Sequence, residues 1–202
     1  MNTMALDEKN KKTTVKGQPG YLLHHKKIYG LWSLIGFLLV LAVFTVSYII
    51  YQDARNYFNI LSVLILLPTV KIFVQYSMLP WKNQIDPEQY ASLKNTLGTI
   101  PVYCELLMTG SEKRFEILYL VIGPGEEILA FSKDLKSDPA LFQKSVYQFL
   151  NYYNYDAKVT LYHDYEAYQK AVEALAAQYP TLSDEELNHI ATVFEKVSIM
   201  SI

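Results

Sequence analysis

Two long runs of apolar residues dominate the first half of the chain. The first covers residues 28–51 without a charged side chain, and the second begins at residue 57 and continues to about residue 76. At a helical rise of 1.5 Å per residue, the first run spans about 36 Å, enough to cross a hydrocarbon core of about 30 Å. A short polar connection at residues 52–56 joins the two runs. The pattern therefore predicts a membrane-spanning helical hairpin over residues 28–79.

Beyond the hairpin the apolar segments become short and varied, which predicts a compact α+β domain over residues 86–202. Asp86-Pro87 and Asp138-Pro139 each combine a capping side chain with a proline suited to the first helical position, so we expect a helix to start at both. Between these two starts, the apolar segments predict a three-strand meander at residues 102–108, 115–122 and 127–133.

The first predicted strand alternates between two faces. Val102, Cys104, Leu106 and Met108 fall on one face, and Glu105 falls on the other. Because successive side chains of a strand point to opposite faces, we expect the first four to share one core. Cys104 is the single cysteine of the chain, so it forms no disulfide within the chain, and we interpret it as a small core residue.

A fourth strand at residues 157–162 and two further helices complete the predicted domain. Asp164 caps one of these helices, and Ser183 opens the other with a capping box. The apolar residues 197–202 form either a fifth strand or a docked tail. The fold class predicted from the sequence is thus a membrane α-helical hairpin followed by a small α+β domain.

Charged residues beside the apolar runs predict the orientation of the hairpin. Residues 1–27 are polar and basic, and we expect a disordered tail because they offer too few apolar side chains to pack a core. Lys26, Lys27 and Lys82 flank the hairpin, whereas in the turn Arg55 is balanced by an aspartate. Basic residues favour the cytoplasmic side. The sequence therefore predicts a multi-pass protein of the cell membrane with both termini in the cytoplasm.

The net charge of the two halves differs in sign. Residues 98–202 hold eight Lys or Arg against fifteen Asp or Glu, a net charge of −7, while the remainder holds ten against five, a net charge of +5. An acidic domain repels phosphate backbones, which argues against nucleic acid as a partner. The expected partners are the lipid bilayer and either another protein or further copies of the chain. No pattern in the sequence indicates a cofactor.

Three residues interrupt the apolar surface of the second predicted helix: Pro68, Lys71 and Gln75. An ionisable group inside a membrane helix is a candidate functional site. Alternatively, the Lys71 ammonium reaches the inner surface along its own side chain. This polar stripe faces either the first helix or a partner protein. A role as a subunit of an oligomeric transporter depends on Lys71.

The predicted order of helix, three strands, helix and strand over about residues 86–162 resembles the core of the restriction-endonuclease-like nucleases. The resemblance implies a metal-binding carboxylate on the second strand and a Glu-x-Lys on the third, which hold the ion and polarise the attacking water. Glu116 lies on the second strand, but the third has Phe131 where the acid should be, followed by Lys133. We therefore expect at most a degenerate hydrolase core, with Glu116, Lys133 and His163 as candidate residues.

Two further patterns suggest weaker sites. His163 follows the fourth strand and precedes Asp164, which suggests either a catalytic pair or a structural histidine. Glu185 and His189, four apart on a helix, either share a metal or form an exposed pair. The following tyrosines lie off the predicted core stripes and either form an interaction surface or are covered by neighbouring elements or by the membrane surface: Tyr147, Tyr152, Tyr155, Tyr162 and Tyr165.

No complete catalytic set emerges from these patterns. We therefore predict a membrane-tethered cytoplasmic module that binds or regulates another protein. The alternative is a membrane-tethered enzyme built on the degenerate nuclease-like hydrolase core.

Overall fold

The computed structural model describes residues 16–51, 57–79, 85–110 and 113–201. The chain forms two compact units, a hairpin unit of Leu22–Asn83 and a domain unit of Met1–Tyr21 together with Gln84–Ile202. The described residues form six helices and one four-stranded sheet. A helical hairpin followed by a small α+β domain is therefore present, as predicted.

The hairpin consists of helix α1, Tyr21–Tyr51, and helix α2, Tyr57–Met78. α1 begins before residue 28, and Gly17 is buried and bonded to the Cys104 amide, so the prediction that residues 1–27 form a disordered tail is wrong for residues 16–27. The reason is that Leu22 and Lys26 lie on the buried side of α1 and extend its contact stripe by more than a turn. Residues 1–15 of that predicted tail, and the predicted connection at residues 52–56, lie outside the described residues.

Small polar residues line the contact between the two helices. Ser33 and Ser47 are buried on α1, fourteen positions apart, and Ser62 and Thr69 are buried on α2, seven positions apart. Multiples of seven keep residues on one seam of a left-handed helix pair. A Cβ atom on Gly36 would lie 2.5 Å from Oγ1 of Thr69, so the glycine permits the helices to approach closely.

The domain begins with helix α3 and continues with the predicted meander. β1 pairs with β2 and β2 with β3 in antiparallel fashion, while β4 pairs with β3 in parallel, so the sheet order is β1-β2-β3-β4. Helix α4 makes the crossover that a parallel pair requires. The elements of the domain are α3 Pro87–Leu97, β1 Val102–Thr109, β2 Arg114–Ile122, β3 Glu127–Phe131, α4 Pro139–Tyr152, β4 Lys158–Tyr162, α5 Tyr165–Gln178 and α6 Asp184–Ile199.

Helices cover both faces of the sheet and enclose two apolar cores. The α4/α6 core contains Phe142, Val146, Ile190, Val193 and Val197 from the two helices. The α3/α5 core contains Leu93, Leu97, Tyr168, Val172 and Leu175. The domain is thus a three-layer arrangement in which every helix buries one stripe against the sheet.

β1 changes faces at Glu105, contrary to the predicted alternation. Glu105 has a φ of 53°, a left-handed conformation that is uncommon outside glycine, and is only 6% exposed. As a result Cys104 belongs to the α3/α5 core, whereas Leu106 and Met108 belong to the α4/α6 core. The prediction that these residues share one face is therefore wrong, because one backbone distortion reverses the alternation.

β2 makes the same change opposite Glu105, so the strand pairing is maintained. Cys104 pairs with Tyr119, and both face the α3/α5 core; Leu106 pairs with Ile117, and both face the α4/α6 core. Each of these cross-strand pairs remains within one core, which preserves the side-chain contacts that stabilise a sheet.

The predicted fifth strand is absent from the part of the chain that the structure describes. α6 continues to Ile199, because Val197 faces the α4/α6 core two helical turns after Ile190 and the burial of valine outweighs its preference for strands. Beyond the helix, Ser201 forms an isolated antiparallel bridge with Met108. The end of the chain is therefore a docked tail through Ser201, the other of the two predicted alternatives, and residue 202 lies outside the described residues.

Candidate functional site

The loop that follows β3 contains Lys133 and contacts Glu116 and His163, the three candidate hydrolase residues predicted from the sequence. β3 and β4 are parallel and end at the same edge of the sheet, the position where α/β proteins commonly bind ligands. Ser132, the first residue of this loop, donates from Oγ to the carbonyl oxygen of Glu116 at 2.6 Å. Lys133 follows in the loop, and Nδ1 of His163 lies 3.1 Å from the Ser132 carbonyl oxygen. Ser132 is therefore the centre of the candidate site.

His163 connects the two ends of this loop. Its Nε2 lies 2.8 Å from the carbonyl oxygen of Ser137, while Nδ1 faces that of Ser132. Both partners are acceptors, and a neutral imidazole has one N–H whereas the imidazolium has two. Both ring nitrogens are thus directed at main-chain carbonyls. In this arrangement His163 positions the loop.

Asp134 closes the loop from inside. Its Oδ1 accepts from the Lys136 amide at 3.0 Å and its Oδ2 from the Ser137 hydroxyl at 3.4 Å, while its own amide donates to Ser132 Oγ at 3.1 Å. Each oxygen of the Asp134 carboxylate thus accepts a hydrogen bond from within the loop. Leu135, at the tip of the loop, is 82% exposed.

Phe131, which stands where the resemblance implies an acid, is a core residue. It lies in the α3/α5 core, where its ring centroid is 5.5 Å from that of Tyr165 and 5.5 Å from that of Tyr168. An aromatic core side chain replaces the acid that would hold a metal ion beside a phosphate. Among the described residues, no group of three or more His, Cys, Asp or Glu side chains could hold a metal ion.

Cys104 lies deep in the same core and is a poor nucleophile there. Burial, followed by the nearby charge of Glu105, raises the pKa of its thiol to about 12, and the reactive species of cysteine is the thiolate. Burial also raises the pKa of Tyr119 and Tyr168. The Tyr168 hydroxyl is buried and has no hydrogen-bond partner among the described residues.

In the predicted pair of Glu185 and His189, the histidine contacts a third residue. Nε2 of His189 lies 3.5 Å from Oε1 of Glu126 in the turn between β2 and β3, while Glu185 is exposed in the first turn of α6. His189 therefore links α6 to the sheet.

The tyrosines predicted to form an interaction surface separate into two groups. Tyr155 packs against the α4/α6 core, and Tyr162 and Tyr165 pack against the α3/α5 core, so for these three the alternative of coverage by neighbouring elements is confirmed and that of an interaction surface is wrong. Tyr147 and Tyr152 are exposed, and Tyr152 reaches 82%.

Tyr152 borders a groove of about 630 Å³ between the end of β1, α4 and the end of α6. The lining combines hydroxyl and amide groups with apolar side chains, the composition expected of a surface that binds a peptide or protein. Its residues are Thr109, Gly110, Ser145, Gln148, Phe149, Tyr152, Ile199, Met200 and Ser201.

Within the hairpin, the polar stripe and the buried polar residues are different sets. Pro68 and Lys71 are exposed and Gln75 is half-buried, so the alternative in which the stripe faces α1 is wrong for the first two. The sequence reasoning missed Lys26, which is buried, donates from Nζ to the Leu79 carbonyl oxygen and lies 5.1 Å from the centre of the Tyr76 ring.

A spacing in the sequence could have identified Lys26. It lies seven positions before Ser33, on the same seam as the other buried polar residues of α1. Its ammonium binds a carbonyl at the end of α2, where helix carbonyls lack intrahelical partners and a positive charge is favoured.

No protein-family model, curated protein or solved structure matches the chain.

Proposed function

We propose that this protein spans the cell membrane with α1 and α2, and that its domain is a cytoplasmic module that binds or regulates another protein. The exposed apolar surface of the two helices carries the proposal. Their most apolar stretches have mean hydropathies of 2.5 and 1.8, and 11% of each is buried. Ile49 is 69% and Leu67 65% exposed. Apolar surface on this scale is covered by lipid or by a partner in a stable protein.

The contacts of the chain before α1 support the placement of both ends of the hairpin on one side. The carbonyl oxygen of Gly17 accepts a hydrogen bond from the Cys104 amide at 2.7 Å, and α1 begins at Tyr21. The chain therefore leaves the domain unit before α1 and returns to it at Gln84 after α2. Lys26 and Lys27 at the start of α1 favour the cytoplasm for that side.

The groove beside Tyr152 supports a binding role for the domain. An exposed tyrosine contributes a large apolar area with a polar end at a low entropic cost, and such side chains dominate the energy of many interfaces. The β3–α4 loop, by contrast, is held by its own hydrogen bonds. No observation favours the hydrolase alternative.

Membrane insertion and orientation can be tested on isolated membranes. Alkaline carbonate extraction should leave the protein in the membrane pellet, and trypsin added to inside-out vesicles should digest the domain. Release into the carbonate supernatant would contradict insertion. Digestion of the domain in right-side-out vesicles instead would contradict the orientation.

The binding role requires a separate test. Crosslinking in cells should give a species above the mass of one chain, and its yield should fall about tenfold in Tyr152→Ala, as for truncation of a central interface aromatic. Leu135→Ala is the matched control because both side chains are 82% exposed and Leu135 lies outside the groove. The absence of any crosslinked species would contradict the role, and equal losses in both variants would exclude the groove.

A further inference from the structure

The segment before α1 occupies the outer edge of β1. The Cys104 amide donates to the Gly17 carbonyl oxygen at 2.7 Å, and further along the same strand the Thr109 amide donates to the Met200 carbonyl oxygen at 2.7 Å. β1 is the first strand in the sheet order, so this edge would otherwise present unpaired main-chain groups. Residues from outside the sheet therefore cover it at two positions.

Lys16 binds the end of α6. Its Nζ donates to the Ser198 carbonyl oxygen at 2.9 Å and also to that of Ser201. Carbonyl groups in the last turn of a helix lack intrahelical partners, and the helix dipole favours a positive charge there. Burial lowers the pKa of Lys16, which indicates that the ammonium gives up part of its hydration on docking.

Gly17 fits against a pair of stacked rings. Tyr103 and Phe194 have ring centroids 3.5 Å apart and planes inclined by 5°. A Cβ atom on Gly17 would lie 2.8 Å from Cζ of Phe194 and 3.1 Å from Cδ1 of Tyr103, and its φ is +88°. Gly20 has a similar φ of +83° but nothing within 4 Å of its Cβ position. Close packing therefore requires a glycine at residue 17, whereas at residue 20 the backbone conformation alone favours one.

We propose that residues 16–18 form a strap that docks reversibly in the edge of β1 and thereby fixes the start of α1 to the domain. The strap is held by peripheral polar contacts and one close packing contact. Such a segment opens at a much lower free energy than the two apolar cores unfold. With the strap docked, the chain on both sides of the hairpin is attached to the domain; with the strap released, only the connection after α2 remains.

Amide hydrogen exchange at Cys104 in the full-length protein measures release of the strap. In wild type this amide should be protected, and in Gly17→Ala its exchange should accelerate about tenfold relative to Gly20→Ala, because both variants carry the same backbone strain but only the first clashes with the rings. Trypsin cleavage after Lys16 should accelerate in the same order. Lys16→Gln should also accelerate exchange at Cys104, since it removes the charge that binds α6.

The thiol of Cys104 separates release of the strap from unfolding. The Cys104 side chain is fully buried in the α3/α5 core, whereas the rings that contact Gly17 pack against the α4/α6 core on the opposite face of the sheet. The thiol should therefore stay unreactive toward a thiol reagent while the amide exchanges. If Gly17→Ala exposes the thiol, the variant has unfolded, and the exchange of the Cys104 amide in Lys16→Gln then tests the proposal. An unprotected Cys104 amide in wild type would overturn the proposal. Equal exchange of the Cys104 amide in the two glycine variants, with the thiol still protected, would also overturn it. Unchanged exchange of this amide in Lys16→Gln would do the same.

Discussion

At the scale of single residues, His163 has the most definite role in the candidate site. Its ring lies between the carbonyl oxygens of Ser132 and Ser137, and both of these serines are buried. His163→Phe keeps an aromatic ring but removes the ring N–H that donates to one of these buried carbonyls, a loss that costs about 1–3 kcal/mol. The expected loss in the free energy of unfolding is about 1–3 kcal/mol, measured by urea titration followed by circular dichroism.

His189→Phe is the control for this substitution. His189 lies 3.5 Å from Glu126 with its side chain 39% exposed, and its ring contacts Tyr155, a contact that phenylalanine can keep, so its replacement should cost less than about 1 kcal/mol. Losses of equal size in the two variants would show that the contacts of His163 do not hold the loop.

The sequence could locate these residues but could not assign their roles. A histidine after a strand and before a capping aspartate predicts a position at the sheet edge, and the structure places His163 there. Its partners are main-chain carbonyls 26 and 31 positions away, which no residue type in the sequence reveals. The same applies to Lys26, whose acceptor is a carbonyl at the end of another helix.

At the scale of secondary-structure elements, the contact between α1 and α2 depends on small residues. Gly36→Leu places side-chain atoms where Thr69 already lies, so the helices must separate by about 2 Å, the difference between closely and loosely packed pairs. Spin labels on cysteines at the exposed positions Leu31 and Val74 should report this separation by pulsed electron resonance. The native Cys104 is buried and should not be labelled.

Ala42→Leu is the matched control for the hairpin. It adds a comparable side chain on an exposed side of α1, so the distance between the labels should stay unchanged. An unchanged distance in Gly36→Leu as well would mean that the contact at Thr69 does not determine the helix spacing.

The elements themselves were largely predictable because their signals are local. Asp86, Asp138, Asp164 and Ser183 each cap the helix expected from their residue type. The change of faces within β1 was not predictable, because Glu105 is an ordinary strand residue by sequence and its backbone conformation depends on two cores that compete for adjacent side chains. The helical conformation of residues 197–199 was not predictable from local signals, because the burial of Val197 outweighs the preference of these residues for strands.

At the scale of the whole molecule, the domain should be sensitive to alkaline pH. Burial raises the pKa of Tyr103 and Cys104 to about 12 and also raises that of Tyr168. Each group is neutral when protonated and has a higher pKa in the folded state. The stabilisation is therefore complete below the unfolded pKa values of about 9–10 and is lost as pH rises toward the folded values. We expect constant stability from pH 7 to about 9 and cooperative unfolding between about pH 10 and 12.

Tyrosinate absorbance and circular dichroism should report that transition together. Tyr168→Phe should move the midpoint to higher pH and leave stability at neutral pH unchanged or slightly increased, because the hydroxyl that it removes has no partner among the described residues. Titration of all tyrosines well below the loss of circular dichroism would contradict the assignment of these groups to a closed core.

The distortion at Glu105 gives β1 a mechanical role that follows from its position. Val102 and Cys104 contribute to the core under α3 and α5, whereas Leu106 and Met108, at the same alternation of the strand, contribute to the core under α4 and α6. A displacement of either helix pair therefore acts on the same backbone. A ligand that tightened the α4/α6 layer would, through this one strand, also rigidify the layer in which the chain enters the domain from the hairpin.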